Sequence, residues 1–417
     1  MIKTYRTIAA ALLIAGGLPM LALPAFAREK KAEQGKGPKL TPAVQNALAS
    51  AQTKQKAGDN PGALADVRTA EAAANRTPMD NYYIANIKIG IAQTTKDNTL
   101  LKEALRGALD SGQAPPEQTT QFTRVLADLA VNEKDYPTAA HYYEIIAKQN
   151  PNDPDIAANL AKLTYDNRQL PVAQRLAALK NATDIAERAN KKPEEFLYGA
   201  RLQLAYDNKM AADINPAGEA FVRAYPSPKN WASSIDVYQQ ATKLDDQSQL
   251  DVYRLKRATG SLNGEAQYLD YAQTAQIRGL PGEARAVLSE GVAKKVVDPS
   301  KPNYLELSRL VSAPKVSADL ASLPASERKA AAASTGTIAL GTADAYLGHA
   351  NYAKAATLYK LALSKGGVDS ARVNTRLGIA LAMSGDKPGA EAAFKAVTSE
   401  PRATLAQYWL IWLGQKA

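Results

Sequence analysis

The sequence predicts an all-α protein, an α-solenoid of about ten helix–turn–helix hairpins with a C-terminal capping helix. One segment of turn residues and helix formers, which we call the repeated phrase, occurs as GDNPGALADVRTA from Gly58 and again, nearly unchanged, as GDKPGAEAAFKAV from Gly385. Related phrases begin at 134, 168, 279 and 350, and neighbouring copies lie about 34 residues apart, which is typical of stacked helical hairpins. In all six copies a small residue of the second helix follows another small residue by twelve positions.

Residues 1–27 have the layout of a secretory signal peptide. Lys3 and Arg6 precede an apolar run over 8–23, and small residues at 25 and 27 are spaced for cleavage. An uncleaved membrane anchor is the alternative, but the run is short for a bilayer span and contains helix breakers. We therefore expect a periplasmic mature chain that begins at Arg28 and has no integral membrane span.

Composition narrows the classes of site and partner. The chain contains no cysteine, which excludes a lipid anchor at the cleavage site, thiol catalysis and Cys-ligated zinc. A net charge of +10 spread over 417 residues produces only a weak positive potential, so we expect no nucleic-acid partner. Residues 28–41 are basic and contain Gly and Pro, which predicts a flexible lead.

The repeated phrase is interpreted as the bend of a hairpin, with small residues where its two helices cross and neither can carry bulk. The small residues of the second helices are Ala63, Ala139, Ala173, Ala284, Ala355 and Ala390. Their counterparts in the first helices are Ala51, Ala127, Ala161, Ala272, Ala343 and Gly378. Four residues after the second small residue, five of the six copies carry a large apolar side chain: Val67, Tyr143, Leu288, Tyr359 and Phe394.

The intervening sequence predicts further, divergent hairpins over 81–111, 194–225 and 230–258. The N-terminal part of the solenoid is therefore expected over 42–298, regular repeats over 336–401 and the capping helix over 402–417. Between them, 299–335 contains four prolines and is interpreted as an irregular helical insertion, where the solenoid could bend or divide into two lobes.

The six copies resemble tetratricopeptide repeats. The resemblance implies a protein that acts by binding proteins or peptides along the face built by its first helices, and that rarely catalyses a reaction. One subtype of these repeats binds the C-terminal carboxylate of its partner through Lys and Asn at set positions of the first helices. In the first repeat of this chain, Leu48 and Gln52 occupy those positions, so this chain departs from that subtype. Candidate partner-binding residues on the first helices are Gln121, Arg124, Asp128, Lys162, Tyr165 and Asp166.

No catalytic, metal-binding or cofactor-binding site is predicted. His141 and His349 are the only histidines, and both are interpreted as structural residues. The sequence contains no zinc-protease, phosphate-loop, nucleophile-elbow or dinucleotide-binding motif. We therefore expect a non-catalytic scaffold or adaptor in the bacterial cell envelope. The alternatives are a self-assembling structural envelope protein and a helical accessory domain of the cell-wall enzyme type.

The closing helix is rich in large apolar residues, and QYWLIWL covers 407–413. Trp409 and Trp412 are expected on one face, sealing the last hairpin, with Leu413 on the neighbouring flank. Tyr408, Ile411 and Gln407 are expected toward the rim. The alternative is a docking surface formed by Trp409, Trp412 and Leu413, through which two molecules could join as a homo-oligomer.

Overall fold

The structure, a computed structural model, describes residues 39–416, and these form 21 α-helices without a β-strand. The signal-peptide prediction, all but 39–41 of the predicted lead, and residue 417 lie outside the described residues. The chain divides into two compact units, and we call their described parts unit 1 (39–193) and unit 2 (194–416). The predicted all-α repeat fold is confirmed.

Each unit is a succession of helices. Unit 1 contains α1 (Pro42–Lys56), α2 (Asn60–Glu71), α3 (Pro78–Thr95), α4 (Asn98–Asp110), α5 (Pro116–Asn132), α6 (Tyr136–Gln149), α7 (Pro154–Asp166) and α8 (Val172–Arg188). Unit 2 contains α9 (Glu195–Asp207), α10 (Ala211–Ala224), α11 (Pro228–Ala241), α12 (Asp246–Ala258), α13 (Gly264–Ile277), α14 (Pro281–Ala293), α15 (Pro302–Leu310), α16 (Ala313–Ala332), α17 (Thr337–Gly348), α18 (Tyr352–Lys365), α19 (Ser370–Met383), α20 (Lys387–Lys395) and α21 (Arg402–Gly414).

The repeated phrase folds as a turn that ends one helix and starts the next. Gly58 and Gly385 adopt left-handed backbone conformations, with φ of 83° and 88°. The next residue, Asp59 or Asp386, is an N-cap whose carboxylate accepts a hydrogen bond from the backbone N–H three residues on, at 2.8 and 3.0 Å. A proline follows in the first turn of the helix, where no N–H is needed.

The small residues meet at the hairpin crossings in five of the six predicted pairs. Both members are buried in Ala51/Ala63, Ala127/Ala139, Ala272/Ala284, Ala343/Ala355 and Gly378/Ala390. The sixth pair is wrong, because Ala161 is buried but Ala173 is exposed. Five residues, 167–171, separate α7 from α8, whereas two or three separate the helices of the other close hairpins, and this longer turn shifts the register of α8.

Most consecutive helix pairs pack as close hairpins, and two regions depart from the pattern. Close packing joins α1 to α2, α3 to α4, α5 to α6 and α7 to α8 in unit 1, and α9 to α10, α13 to α14, α17 to α18 and α19 to α20 in unit 2. By comparison, α11 and α12 pack loosely. In the segment 299–335, α16 packs against α17 and α14 rather than against α15.

The two units build their cores differently. Unit 1 has successive local clusters, one around Leu48 and Val67, one around Leu105 and one around Ile146. In unit 2, a small cluster around Tyr198 and Phe221 lies beside one large cluster, which runs from Val222 to Leu413 and includes residues of both its early and its last helices. Unit 1 therefore has the local packing of a simple repeat array, whereas unit 2 contains long-range contacts.

Helix α21 makes those contacts. It packs on α19 and α20, as the first helix of another hairpin would, and also on α10 and α12. Hydrogen bonds also join the C-terminal end of the chain to α10 and α12. The indole Nε1 of Trp412 donates to the carbonyl of Ala258 at 3.1 Å, and the Gln415 side-chain amide donates to the carbonyl of Val222 at 2.8 Å. The last helix is thus enclosed within unit 2.

Candidate binding surface

Three of the predicted binding residues form one stripe on α5. Gln121, Arg124 and Asp128 are three and four residues apart, which places them on one face of the helix, and all three are half-buried. The opposite side of α5 packs into unit 1 through Phe122 and Leu126. The amphipathic pattern of this helix therefore leaves a polar face beside a well-packed core.

The other three predicted residues lie together on α7. Lys162 and Tyr165 are half-buried, and Asp166, the last residue of the helix, is exposed. Arg175 of α8 approaches this group, with its guanidinium carbon 5.4 Å from the centroid of the Tyr165 ring. Its Nε donates to the carbonyl of Tyr165 at 2.9 Å. The sequence did not indicate Arg175, because the binding face was expected on the first helices and Arg175 lies on the second helix α8.

An ion pair connects α5 to the start of α7. Arg124 Nη2 lies 3.0 Å from Oδ2 of Asp153, the N-cap residue of α7. The structure therefore pairs Arg124 with Asp153, which the sequence did not single out, rather than with Asp128. Asp153 also caps α7 by accepting from two of its backbone N–H groups.

Asp128 has a different environment. The hydroxyl of Tyr143 on α6 donates a hydrogen bond to its Oδ1 atom. Burial raises the pKa of Asp128, while the Tyr143 hydrogen bond and the field of Arg124 oppose that rise. Burial and the neighbouring Asp128 carboxylate raise the pKa of Tyr143 well above its ordinary value, so the phenol remains a donor. Asp128 is a partly desolvated acceptor on the predicted binding face.

Unit 2 contains a buried charge network that the sequence did not indicate. Asp251 of α12 is fully buried and lies 2.7 Å from Arg254, 2.9 Å from Arg376 of α19 and 2.5 Å from Arg402 of α21. Burial alone would raise the pKa of Asp251, but the three guanidinium groups hold that pKa well below its usual range. The same Arg254 forms an ion pair with Glu283 of α14 at 2.6 Å.

The capping residues are buried within unit 2. Trp409 stacks on Phe394 of α20 with ring centroids 5.8 Å apart, and Trp412 and Leu413 are also buried. The expectation that Tyr408 and Ile411 lie at the rim is wrong, because only 1% and 4% of their surfaces are exposed. They are covered because α21 packs on two sides.

The partners of Tyr408 explain that correction. Its ring lies 6.0 Å from those of Trp231 and Tyr238, both on α11. The third residue expected at the rim, Gln407, is exposed. The tryptophans of α21 therefore pack against their own unit, and the structure gives no support to a homo-oligomer formed through this helix.

The two histidines lie apart. His141 is exposed on α6 beside the ring of Tyr142. His349 follows α17, and its Nε2 lies 2.7 Å from Asp319 of α16. Between residues 39 and 416 no three His, Cys, Asp or Glu side chains are grouped as metal ligands. Over the same residues no helix has the length and apolar character that crossing a bilayer requires.

No protein-family model matches the chain, and no curated protein matches it in sequence. Among solved structures, the TPR domain of P58(IPK) is 13% identical, with 82% of this chain and 98% of that one covered and a TM-score of 0.20. A chain of the Naa15/Naa10 complex bound to HypK-THB is 15% identical, with coverages of 86% and 63% and a TM-score of 0.27. Yeast Tom70 is 12% identical, with coverages of 89% and 88% and a TM-score of 0.22.

Scores this low carry no argument about a site, a partner or a repeat family, and what remains is the packing of the hairpins themselves. The five buried small pairs lie at the crossings, and the large side chains four residues further on are buried too. This burial is what the resemblance to tetratricopeptide repeats predicts for these positions.

Proposed function

We propose that this protein is a non-catalytic scaffold that binds a protein or peptide partner along α5 and α7 of unit 1. The observation that carries the proposal is the half-buried polar stripe of Gln121, Arg124 and Asp128 on a first helix. In tetratricopeptide-type hairpins the first helices provide the binding face. A row of polar groups beside a closely packed core suits an extended polar ligand, since it offers fixed acceptors and donors without a deep pocket.

A photo-crosslinking residue tests the position of the partner. Placed at Gln121 in the protein expressed in its own cells, it should form a covalent adduct with a discrete partner. The matched position is Glu144, an exposed residue of the second helix α6, where no such adduct is expected. Equal adducts from both positions, or none from Gln121, would overturn the proposed binding face.

The proposal includes export to the periplasm. Its support is the signal-peptide layout of residues 1–27. Mass spectrometry of the envelope fraction should find a mature N-terminus at Arg28. Recovery of the protein with residues 1–27 intact would contradict this part of the proposal.

Non-catalytic action is part of the same proposal, and its support is that closely packed helical hairpins make up most of the described chain. The competing idea is a helical part of a cell-wall enzyme. Incubation of the mature protein with purified murein should release no soluble fragments. Release that depends on the protein concentration would overturn this part of the proposal.

A further inference from the structure

We propose that Asp128 binds the guanidinium group of an arginine side chain on the partner. This inference rests on the proposed function and names the chemistry of one contact on the same helix face. It comes from a comparison of two hairpins in the chain, one whose equivalent aspartate is occupied by arginine and one whose aspartate is not.

The hairpins α5–α6 and α17–α18 place an aspartate and a tyrosine in the same register. Asp128 and Asp344 each directly follow the small residue at the crossing of their hairpin. Fifteen residues later, Tyr143 and Tyr359 each donate a hydrogen bond to the Oδ1 atom of that aspartate, at 2.7 Å in the second hairpin. The two sites therefore share an acceptor with one oxygen engaged by a phenol.

In unit 2, arginines fill the rest of the site. The next first helix, α19, supplies Arg372 and Arg376, whose guanidinium nitrogens lie 2.7 and 2.6 Å from Oδ2 of Asp344. Arg376 is fully buried and continues to Asp251. The arrangement shows what an aspartate accepts at this position of the hairpin: a phenol on one oxygen and guanidinium groups on the other.

In unit 1, the next first helix supplies no such cation. Arg372 and Arg376 lie six and two residues before the small residue Gly378 of α19. The residues six and two before the small residue Ala161 of α7 are Asp155 and Asn159. Asp155 pairs with Lys191 at 2.5 Å. The nearby Arg124 is engaged by Asp153 at 3.0 Å. The chain therefore fills the site in unit 2 and leaves the equivalent site in unit 1 to an external group.

The environment of Asp128 suits a guanidinium group. Within the described part of the chain, its hydrogen-bond donor is Tyr143 and it forms no ion pair. Asn159 lies beside the same phenol and marks the place that Arg376 takes in unit 2. A guanidinium is weakly hydrated and planar, so it enters a half-buried carboxylate site at a lower desolvation cost than an ammonium group.

Paired peptides test the ligand chemistry. The probes are fluorescent ten-residue peptides, each with one central arginine, and twins in which lysine or the uncharged citrulline replaces it. Anisotropy with the full mature chain should show arginine peptides binding roughly ten- to a hundredfold more tightly than their citrulline twins, as expected for a partly desolvated charge pair. If no arginine peptide exceeds its citrulline twin, or if lysine binds equally well, the assignment is overturned.

Two variants, Asp128→Asn and Asn159→Arg, test the role of Asp128, and Asp110→Asn is the control. Asp128→Asn should remove the preference for arginine over citrulline, whereas Asp110→Asn, at an exposed position of α4, should keep it. Asn159→Arg supplies an internal guanidinium where unit 2 has Arg376. It should raise the melting temperature and weaken arginine peptides by about tenfold or more. Persistence of the preference in Asp128→Asn, or unchanged peptide binding in a more stable Asn159→Arg protein, would overturn the inference.

The crosslinking experiment separates this inference from the proposed function. If the adduct from Gln121 forms and Asp128→Asn leaves arginine peptides unaffected, the arginine site is wrong and the binding face stands. If arginine peptides require Asp128 but no adduct forms from Gln121, the site binds arginine and the proposed partner surface is wrong.

Discussion

The hairpin turns depend on single residues with a left-handed backbone. In unit 1, Gly58 and Lys134 hold this conformation directly before the N-cap of a second helix, and in unit 2 Ala350 and Gly385 do so. Only glycine adopts this conformation without a steric penalty from Cβ. The repeated phrase therefore encodes a left-handed residue followed by an N-cap. In the copies without glycine, that backbone conformation carries the steric penalty of a Cβ atom.

Replacing Ala350 by Gly should stabilise the protein by about 0.5–1 kcal/mol, because φ there is 57° and the residue is exposed. The matched change Ala353→Gly, at an exposed position inside α18, should destabilise by about 1 kcal/mol, since glycine loses more backbone entropy than alanine when the helix forms. Thermal or urea unfolding measures both. Destabilisation by both changes would show that the turn gains nothing from glycine.

At the scale of the element, the crossing of two helices fixes the size of the residues between them. Gly378 of α19 lies under the ring of Phe394, and a Cβ built there would be 2.5 Å from a ring carbon. That ring cannot retreat easily, because its other side stacks on Trp409. The small residue at this crossing is therefore required by the packing of three helices.

Gly378→Ala should cost about 1–3 kcal/mol through overpacking, despite the better helix propensity of alanine. Gly341→Ala is the matched change, because it lies in α17 and a Cβ there meets no atom within 4 Å. That variant should gain about 0.5–1 kcal/mol. Chemical unfolding of the two proteins compares them directly. If Gly378→Ala is as stable as Gly341→Ala, the proposed crossing contact is unimportant.

The sequence predicted a hairpin correctly where a turn of two or three residues stood in the repeated segment of turn residues and helix formers. The α7–α8 register failed because a turn two residues longer produces the same phrase while moving Ala173 to the surface. The stripe on α5 follows from helical spacing. The ion pair of Arg124 with Asp153 and the network around Asp251 do not, because they join residues whose proximity depends on how several helices pack.

At the scale of the molecule, unit 2 is closed by its own last helix. Asp251 joins α12, α19 and α21 through arginines that are 125 and 151 residues away in sequence. All three tryptophans of the chain, Trp231, Trp409 and Trp412, belong to this unit. Their fluorescence therefore reports on unit 2 specifically.

Asp251→Asn should destabilise unit 2 by about 3–5 kcal/mol at neutral pH, because it leaves buried guanidinium groups without their shared carboxylate. The lowered pKa of Asp251 also sets a pH dependence. Its stabilising contribution is present above the unfolded value of about 4 and is lost as pH falls from there toward the lower folded pKa. Tryptophan-monitored unfolding should show a difference between wild type and variant that narrows below about pH 4. A constant difference at all pH values would contradict the assignment.

Removal of residues 402–417 tests the closure of unit 2 as a whole. It takes away Tyr408, Trp409 and Trp412, and each large side chain that is fully buried contributes about 1.5–3 kcal/mol. It also uncovers apolar surface on α10–α12 and on α19–α20, so we expect dye binding and aggregation. The remaining Trp231 should report the change through red-shifted emission, because its partner Tyr408 is gone. Gln407→Ala, at an exposed position of the same helix, is the control and should leave stability unchanged. A truncated protein with blue-shifted Trp231 emission and an unaltered melting temperature would show that α21 lies on unit 2 without holding it together.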